Sequence, residues 1–348
     1  MIEAVEMIAE SEQVEKGLMK AIIRTRYGPP DILQLKEVEK PTPNDVRRVL
    51  VRIYAASVNP ADRYDMKGPP FLIRLVAPLF RLKVGLRGPR DPGLGTDAAG
   101  RVEAVANNVT QFKLGDEVFG ACWGSYAEYA VAREDRLVLK PANISFEEAS
   151  AVPIAAITAL QALRDKGHIQ PGQKVLVNGA GGGVGTFAVQ IAKSFGAEVT
   201  AVTSTENLEM VRSLGADHVI DYTKENFTQT RQRYDFILDN VANRSLSDLR
   251  RALTPKGTLV PNGGGFDNHW FASGGRVMRA KVLSRFVSQT LRTFVMSPKQ
   301  ENLVVLKAFI EAGKVTPVIG RTYPLIETPQ AIDHVGGGHA RGKVVINA

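Results

Sequence analysis

Between Lys174 and Thr203 the chain reads KVLVNGAGGGVGTFAVQIAKSFGAEVTAVT, and few patterns leave a chain so little choice of fold. Val175, Leu176 and Val177 form the unbroken apolar run expected of a parallel strand covered on both faces. Val184, Ala188, Ile191, Ala192 and Phe195 then recur at helical spacing, and Gly196 stands where a left-handed residue closes a helix. A second strand follows over 199–202. Between the first strand and the helix, Ala180, Gly182 and Gly185 hold the i, i+2 and i+5 places of a GxGxxG pattern, with Gly183 and Val184 between the last two. The missing side chains let the backbone approach a pyrophosphate at a helix N-terminus, where free N–H groups and the dipole favour an anion. Strand, turn, helix and strand in this order make the segment a dinucleotide-binding βαβ unit rather than a bare glycine connection.

At 348 residues, 44% of them apolar, the chain can bury ample core and suggests about two domains. Residues 1–18 read as an N-terminal extension, because MKAIIRTRY opens a clean strand at Met19 after an acidic stretch. From there to about residue 150, VLVRIYAASV, GRVEAVAN, GDEVFG, SYAEYAVA and RLVLKPA alternate with turn residues and indicate a β-rich domain. From Ser150 the pattern alternates helix with strand over KVLVNG, EVTAVT, HVIDY, YDFILDNV and GTLVPNGGG, which means a doubly wound parallel sheet. A helix over 301–312 and a last strand, GKVVINA, complete the chain.

No apolar run reaches the ~20 residues that span a bilayer. The opening MIEAVEMIAESEQVEKG carries acids where a secretory signal carries bases, so a cytoplasmic protein without integral membrane contact is expected. The single cysteine, Cys122, excludes an internal disulfide and fits a reducing compartment. The formal charge of +8 gathers in two stretches, Arg74 to Arg90 and Arg276 to Arg292, each interleaved with Phe and Leu. They read as solvated faces of amphipathic helices, as a membrane-peripheral surface, or as a rim for an anionic ligand. No nucleic-acid module accompanies them, and no nucleic-acid partner is expected.

AASVNPADRY at 55–64, LGTDAAGRVEAV at 94–105, GDEVFG at 115–120, GSYAEYA at 124–130, VPIAAITAL at 152–160, NGAGGGVG at 178–185 and GHARGKVVI at 338–346 together carry a resemblance. The chain resembles the zinc-independent, quinone oxidoreductase-like branch of the medium-chain dehydrogenase/reductase superfamily, from about Met19 to its end. The resemblance implies an α/β architecture: a GroES-like β-rich domain built from residues 19–153 and 299–348, around an inserted Rossmann domain at 154–298. It further implies a homodimer and a cleft between the domains for nicotinamide and substrate. Where zinc-dependent relatives carry a Cys and the His of a GHE motif, this chain has Ser57, Val58 and Asn59, then Gly95, Thr96 and Asp97. Its five histidines are scattered, too few ligands converge for zinc, and no metal is expected. Asp97 reads as a structural hydrogen-bonding group. Hydride transfer without a Lewis acid then suits an acceptor that is already polarised, a quinone or an enone.

At the end of the second strand of the unit, where an acid would bind the ribose of NAD, stand Thr203 and Ser204, which leave room for a 2′-phosphate and favour NADPH. Glu206 follows, repelling a phosphate if it points inward and harmless if it faces solvent at the start of the next helix. By resemblance, Tyr222 contacts the adenosine phosphate, Lys343 the nucleotide and Thr158 the nicotinamide side. Their alternatives are a packed aromatic, a solvated surface lysine and a helix-capping or core hydroxyl. Asn240 and Val241, ending the fourth strand, line the ribose, and Gly263 and Gly264 either pass beside the nicotinamide ring or form a plain turn. Asn59 and Tyr64 are the catalytic candidates, matching positions that face the nicotinamide cleft; the Tyr64 hydroxyl could donate to the oxygen that gains charge as hydride arrives. Asp62 and Arg63 could form a local salt bridge. An NADPH-dependent quinone or enone reductase is the expectation. An alcohol dehydrogenase, a 2-enoyl thioester reductase, and a nucleotide-binding regulatory protein with little turnover remain alternatives.

Overall fold

The computed structural model of the protein describes residues 17–44, 46–68, 88–262, 287–338 and 340–348. Gly263, Gly264 and the basic stretches from Arg74 to Arg87 and from Arg276 to Arg285 lie outside them. Strand β1 (Leu18–Ile23) pairs antiparallel with β2 (Gln34–Glu39), opening one residue before the expected start. Next comes β3 (Arg48–Val58), whose Val49, Leu50, Val51, Ile53, Ala55 and Ala56 are all buried, as suits a central strand with neighbours on both edges. Helix α1 (Pro60–Lys67) follows, then β4 (Asp97–Val105), β5 (Glu117–Ala121), β6 (Tyr129–Arg133) and β7 (Leu137–Leu139). Helix α2 (Pro153–Leu160) is apolar on every side; it is buried almost throughout, packing against β4 and β5.

The chain then enters the parallel sheet: β8 (Lys174–Asn178), α3 (Gly183–Ser194), β9 (Glu198–Thr203), β10 (His218–Asp221), β11 (Tyr234–Asp239), β12 (Leu253–Pro261) and β13 (Thr290–Leu291). The spatial order is β10-β9-β8-β11-β12-β13 with every neighbouring pair parallel. In order of appearance this is third, second, first, fourth, fifth, sixth, the doubly wound arrangement that opens a crevice at the carboxyl ends of β8 and β11, where the strand order reverses. Strand β12 starts at Leu253, earlier than the expected Gly257, because a register shift lets Leu253 pair with Tyr234 before Thr258 meets Phe236. Gly196 does close α3, at φ +78°.

Helix α4 (Gln300–Glu311), β14 (Ile319–Pro324), α5 (Thr328–Gly336) and β15 (Lys343–Asn347) end the chain. Both strands return to the first sheet, ordered β14-β15-β3-β4-β5-β7 with β6 paired to β3. One apolar cluster joins Ala99 and Phe119 of that sheet, through Ala155, Ala156 and Leu160, to Val175 and Val177 of the parallel sheet. No helix among the described residues is long and apolar enough to cross a membrane.

Candidate active site

The nucleotide loop works because its glycines have different tasks. Gly179 takes the left-handed turn at φ +78°, one place before Ala180. Ala180, itself fully buried, therefore keeps a side chain where the fingerprint has glycine. A Cβ on Gly185 would stand 2.1 Å from the Gly179 carbonyl oxygen, so this glycine lets helix and strand touch. A Cβ on Gly182 would meet nothing closer than the same oxygen at 3.6 Å, an ordinary contact, so the protein itself does not require glycine here. Gly182 is the N-cap of α3, with no side-chain cap and no acid in the first turn. The helix-opening N–H groups around Gly183, Val184 and Gly185 are thus left for an anion.

At the strand ends beside the loop, Thr203 is buried and Ser204 accepts a 3.1 Å hydrogen bond from Asn207 Nδ2, a residue the sequence reading overlooked. Tyr222 is 41% exposed, not a packed aromatic, and its N–H donates to the Thr203 carbonyl at 3.1 Å. Glu206 faces solvent in the turn Thr205–Asn207. Asp221 accepts from the Thr205 and Thr223 hydroxyls at 2.5 and 2.7 Å, bonds that hold its carboxyl down to about 2. Across the crevice, Asn178 Nδ2 donates to Asp239 at 2.8 Å, and the Asn240 amide oxygen accepts from Asn262 at 2.8 Å. Asn240 Nδ2 is buried with no partner among the described residues, and Val241 packs so close to Gly179 that a Cβ there would lie 2.7 Å from it. An open helix N-terminus and an orphaned donor at the switch point fit a dinucleotide.

A second group of residues is saturated. Asp97, fully buried in β4, accepts at Oδ2 from Ser57 Oγ (2.9 Å) and Asn59 Nδ2 (2.8 Å), and at Oδ1 from the Ile154 N–H (3.0 Å). Lys343 reaches the same carboxylate at 3.5 Å, the Asn59 amide oxygen at 2.7 Å and the Val58 carbonyl at 3.1 Å. At 3% exposure Lys343 is not the solvated surface lysine of the alternative reading; burial lowers its pKa, against the pull of Asp97. A Cβ on Gly183 would sit 2.9 Å from Lys343 Cδ, so the lysine stem runs across the head of α3 while its charge lies in the cluster. The tail is seated there by Gly342, whose N–H donates to the Gly181 carbonyl at 2.8 Å in a parallel bridge between Gly182 and Gly342.

Asn59 also caps α1. Asp62 Oδ2 accepts from the Asn59 N–H (2.7 Å) and from the buried Tyr126 hydroxyl (2.6 Å), and Pro60 follows at the first helical position. Desolvation lifts the Asp62 carboxyl to about 7 against those two bonds. The proposed Asp62–Arg63 bridge is therefore wrong: neighbours on a helix do not face each other, and Arg63 donates to the Gly336 carbonyl at 2.6 Å. Thr158 is a buried hydroxyl donating to Ile154 O at 2.7 Å, not a helix cap. Tyr64 lies outside the cluster, 42% exposed, beside Pro60, Arg63, Lys67 and Gly336, and partial burial raises its pKa. Cys122 is buried and its thiol is pushed up to about 12. Among the described residues no group of three or more His, Cys, Asp or Glu could hold a metal ion.

The alcohol dehydrogenase GroES-like domain family matches residues 45–142, and the family described as zinc-binding dehydrogenase matches residues 214–346. The mitochondrial NAD(P)H oxidoreductase RTN4IP1 of Bos taurus is 34% identical, covering 95% of this chain and 89% of its own. The 2-methylene-furan-3-one reductase of Solanum lycopersicum is also 34% identical, covering 94% of this chain and 79% of its own. Among solved structures, the quinone oxidoreductase of Coxiella burnetii superposes with a TM-score of 0.78 at 28% identity, over 95% of this chain and all of its own. With a GroES-like sheet closed by its own C-terminal strand, a doubly wound nucleotide sheet and relatives of this kind over nearly its whole length, the chain belongs to the quinone oxidoreductase-like branch of the medium-chain dehydrogenase/reductase superfamily.

Proposed function

We propose that the protein is a reductase that transfers hydride from NADPH to a quinone or an α,β-unsaturated carbonyl without a metal. The observation that carries this is Lys343, which spans from the head of α3 at Gly183 to Asn59 and Asp97, making the nucleotide loop and the polar cluster one site. The relatives named quinone oxidoreductase and furanone reductase support the acceptor class. NADPH, when bound, supplies the hydride; the protein supplies orientation and electrostatics.

Gly182 and Gly183 receive the pyrophosphate, Thr203, Ser204 and Tyr222 the 2′-phosphate side, Asn240 and Val241 the ribose. Thr158 and Asn59 flank the nicotinamide side, and Gly263 and Gly264 are assigned there as well. Lys343 holds the Asn59 amide oxygen, so Nδ2 is turned to Asp97 and the amide acts as a fixed wall of the cleft rather than a free donor. Tyr64 stays protonated at neutral pH and donates to the acceptor oxygen as its charge grows. Asp97 is no metal ligand in this reading, because Ser57, Asn59, Ile154 and Lys343 already occupy its oxygens. The same proposal includes the domain division 19–153 with 299–348 against 154–298, a homodimer, and residence in the cytoplasm.

The test follows nucleotide absorbance while purified protein is offered an ortho-quinone and, separately, an enone, with NADPH and with NADH. Faster oxidation of NADPH with either acceptor is the expected result. Tight nucleotide binding without turnover would replace the enzyme by a nucleotide-binding regulator.

A further inference from the structure

If the bound nucleotide is NADPH, its 2′-phosphate needs a cation, and the residues just beyond β9 offer none: Ser204, Thr205, Glu206 and Asn207 stand there. The nearby bases are committed to carboxylates, Arg212 to Glu209 at 2.5 Å and Lys224 to Asp221 at 3.6 Å. Among the described residues, one base reaches this region from elsewhere in the chain. Arg341 immediately precedes Gly342, which is bonded to Gly181 in the nucleotide loop. Its Nε lies 3.4 Å from Met210 Sδ, in the short helix Leu208–Ser213 that follows β9. The guanidinium is exposed and has no carboxylate partner among the described residues.

The backbone fixes where this side chain starts. A Cβ on Gly320 would lie 1.8 Å from the Arg341 carbonyl oxygen, and Gly342 holds φ +60° with Val318 O 2.4 Å from its would-be Cβ. The two flanking positions then diverge: Lys343 runs over Gly183 toward Asn59, and Arg341 runs toward Met210 on the β9 side. In a doubly wound sheet the adenosine half lies on that side of the crevice and the nicotinamide half on the other.

We propose that Arg341 binds the 2′-phosphate of NADPH and selects it over NADH, the cation arriving from the C-terminal tail instead of the loop after β9. This rests on the reductase reading above. A guanidinium presents a planar fork of donors to phosphate, and a charged hydrogen bond of this kind contributes roughly 1.5–3 kcal/mol. That corresponds to a loss of about 10- to 160-fold in affinity when it is removed.

Calorimetric titration of the full chain with NADPH and NADH tests it, on wild type, Arg341→Ala and Lys224→Ala, with thermal unfolding of each. Arg341→Ala should weaken NADPH by at least about tenfold and leave NADH within about twofold, at unchanged melting temperature, while Lys224→Ala keeps the wild-type preference. Equal losses for both nucleotides would move Arg341 to the shared pyrophosphate and overturn the proposal. So would no loss for either. A wild type that binds neither nucleotide would overturn the reductase reading itself, a result distinct from both.

Discussion

The glycine loop and the Asn59–Asp97–Lys343 cluster touch across Gly183, yet they are built on opposite rules. Around the loop, polar groups at the crevice are left open: the N-cap has no side-chain partner, and Asn240 Nδ2, at the end of β11, has none among the described residues. In the cluster, Asp97 accepts from four donors and the amide and ammonium groups around it bond to one another. Groups that meet a ligand's charge stay unpaired, and groups that hold position inside a protein are saturated.

The largest test of that contrast is Asp97→Ala, which strands the Lys343 charge at 3% exposure. Removing one partner of a buried pair typically costs about 3–5 kcal/mol, here read by urea unfolding at neutral pH. A loss below about 1 kcal/mol would mean that the pair is not desolvated as described. The second test uses Asp62, whose carboxyl rises from 3.8 to about 7 on folding. The folded protein keeps this proton over a range where the unfolded chain has lost it. Its stabilising contribution is complete below the unfolded value and disappears as pH rises through the folded one. Wild type should therefore lose up to roughly 3–4 kcal/mol between pH 4 and 8 relative to Asp62→Asn, whose profile lacks that slope.

On the open side, Gly182→Val places a side chain where only the Gly179 carbonyl approaches, at 3.6 Å. It should weaken NADPH by at least about 100-fold with little change in melting temperature. Gly185→Ala should do the reverse, costing about 1–3 kcal/mol of stability through its clash with the Gly179 oxygen. If both variants lost only stability, the division of tasks between these glycines would be wrong. The smallest effect belongs to Tyr64→Phe. Water also reaches a side chain that is 42% exposed, so steady-state turnover should fall by only about tenfold, one hydrogen bond. Loss of all turnover would mean that water does not stand in for the Tyr64 hydroxyl.

The same contrast explains what could be read from residues in order. The βαβ unit is local: its strand, turn and helix occupy adjacent positions, and periodicity and glycine spacing report them directly. So is the Asn59-x-x-Asp62 cap with Pro60 between, a signal present in the sequence but passed over for a salt bridge. The cluster has no such signature. Ser57, Asn59, Asp97 and Lys343 converge only because β15 pairs with β3 and β3 with β4, and Lys343 lies 284 positions from Asn59. An isolated lysine near a chain end looks like surface until its strand is placed. Arg341 was missed for the same reason.

The bond from Gly342 to Gly181 also has a meaning in time. The nucleotide loop is synthesised about 160 residues before the strand that seats its neighbour Lys343, Lys343–Asn347. A ribosome must make that tail strand before this pocket can close, so a product cut short ahead of Gly342, however well its parallel sheet folds, would be born without a finished site.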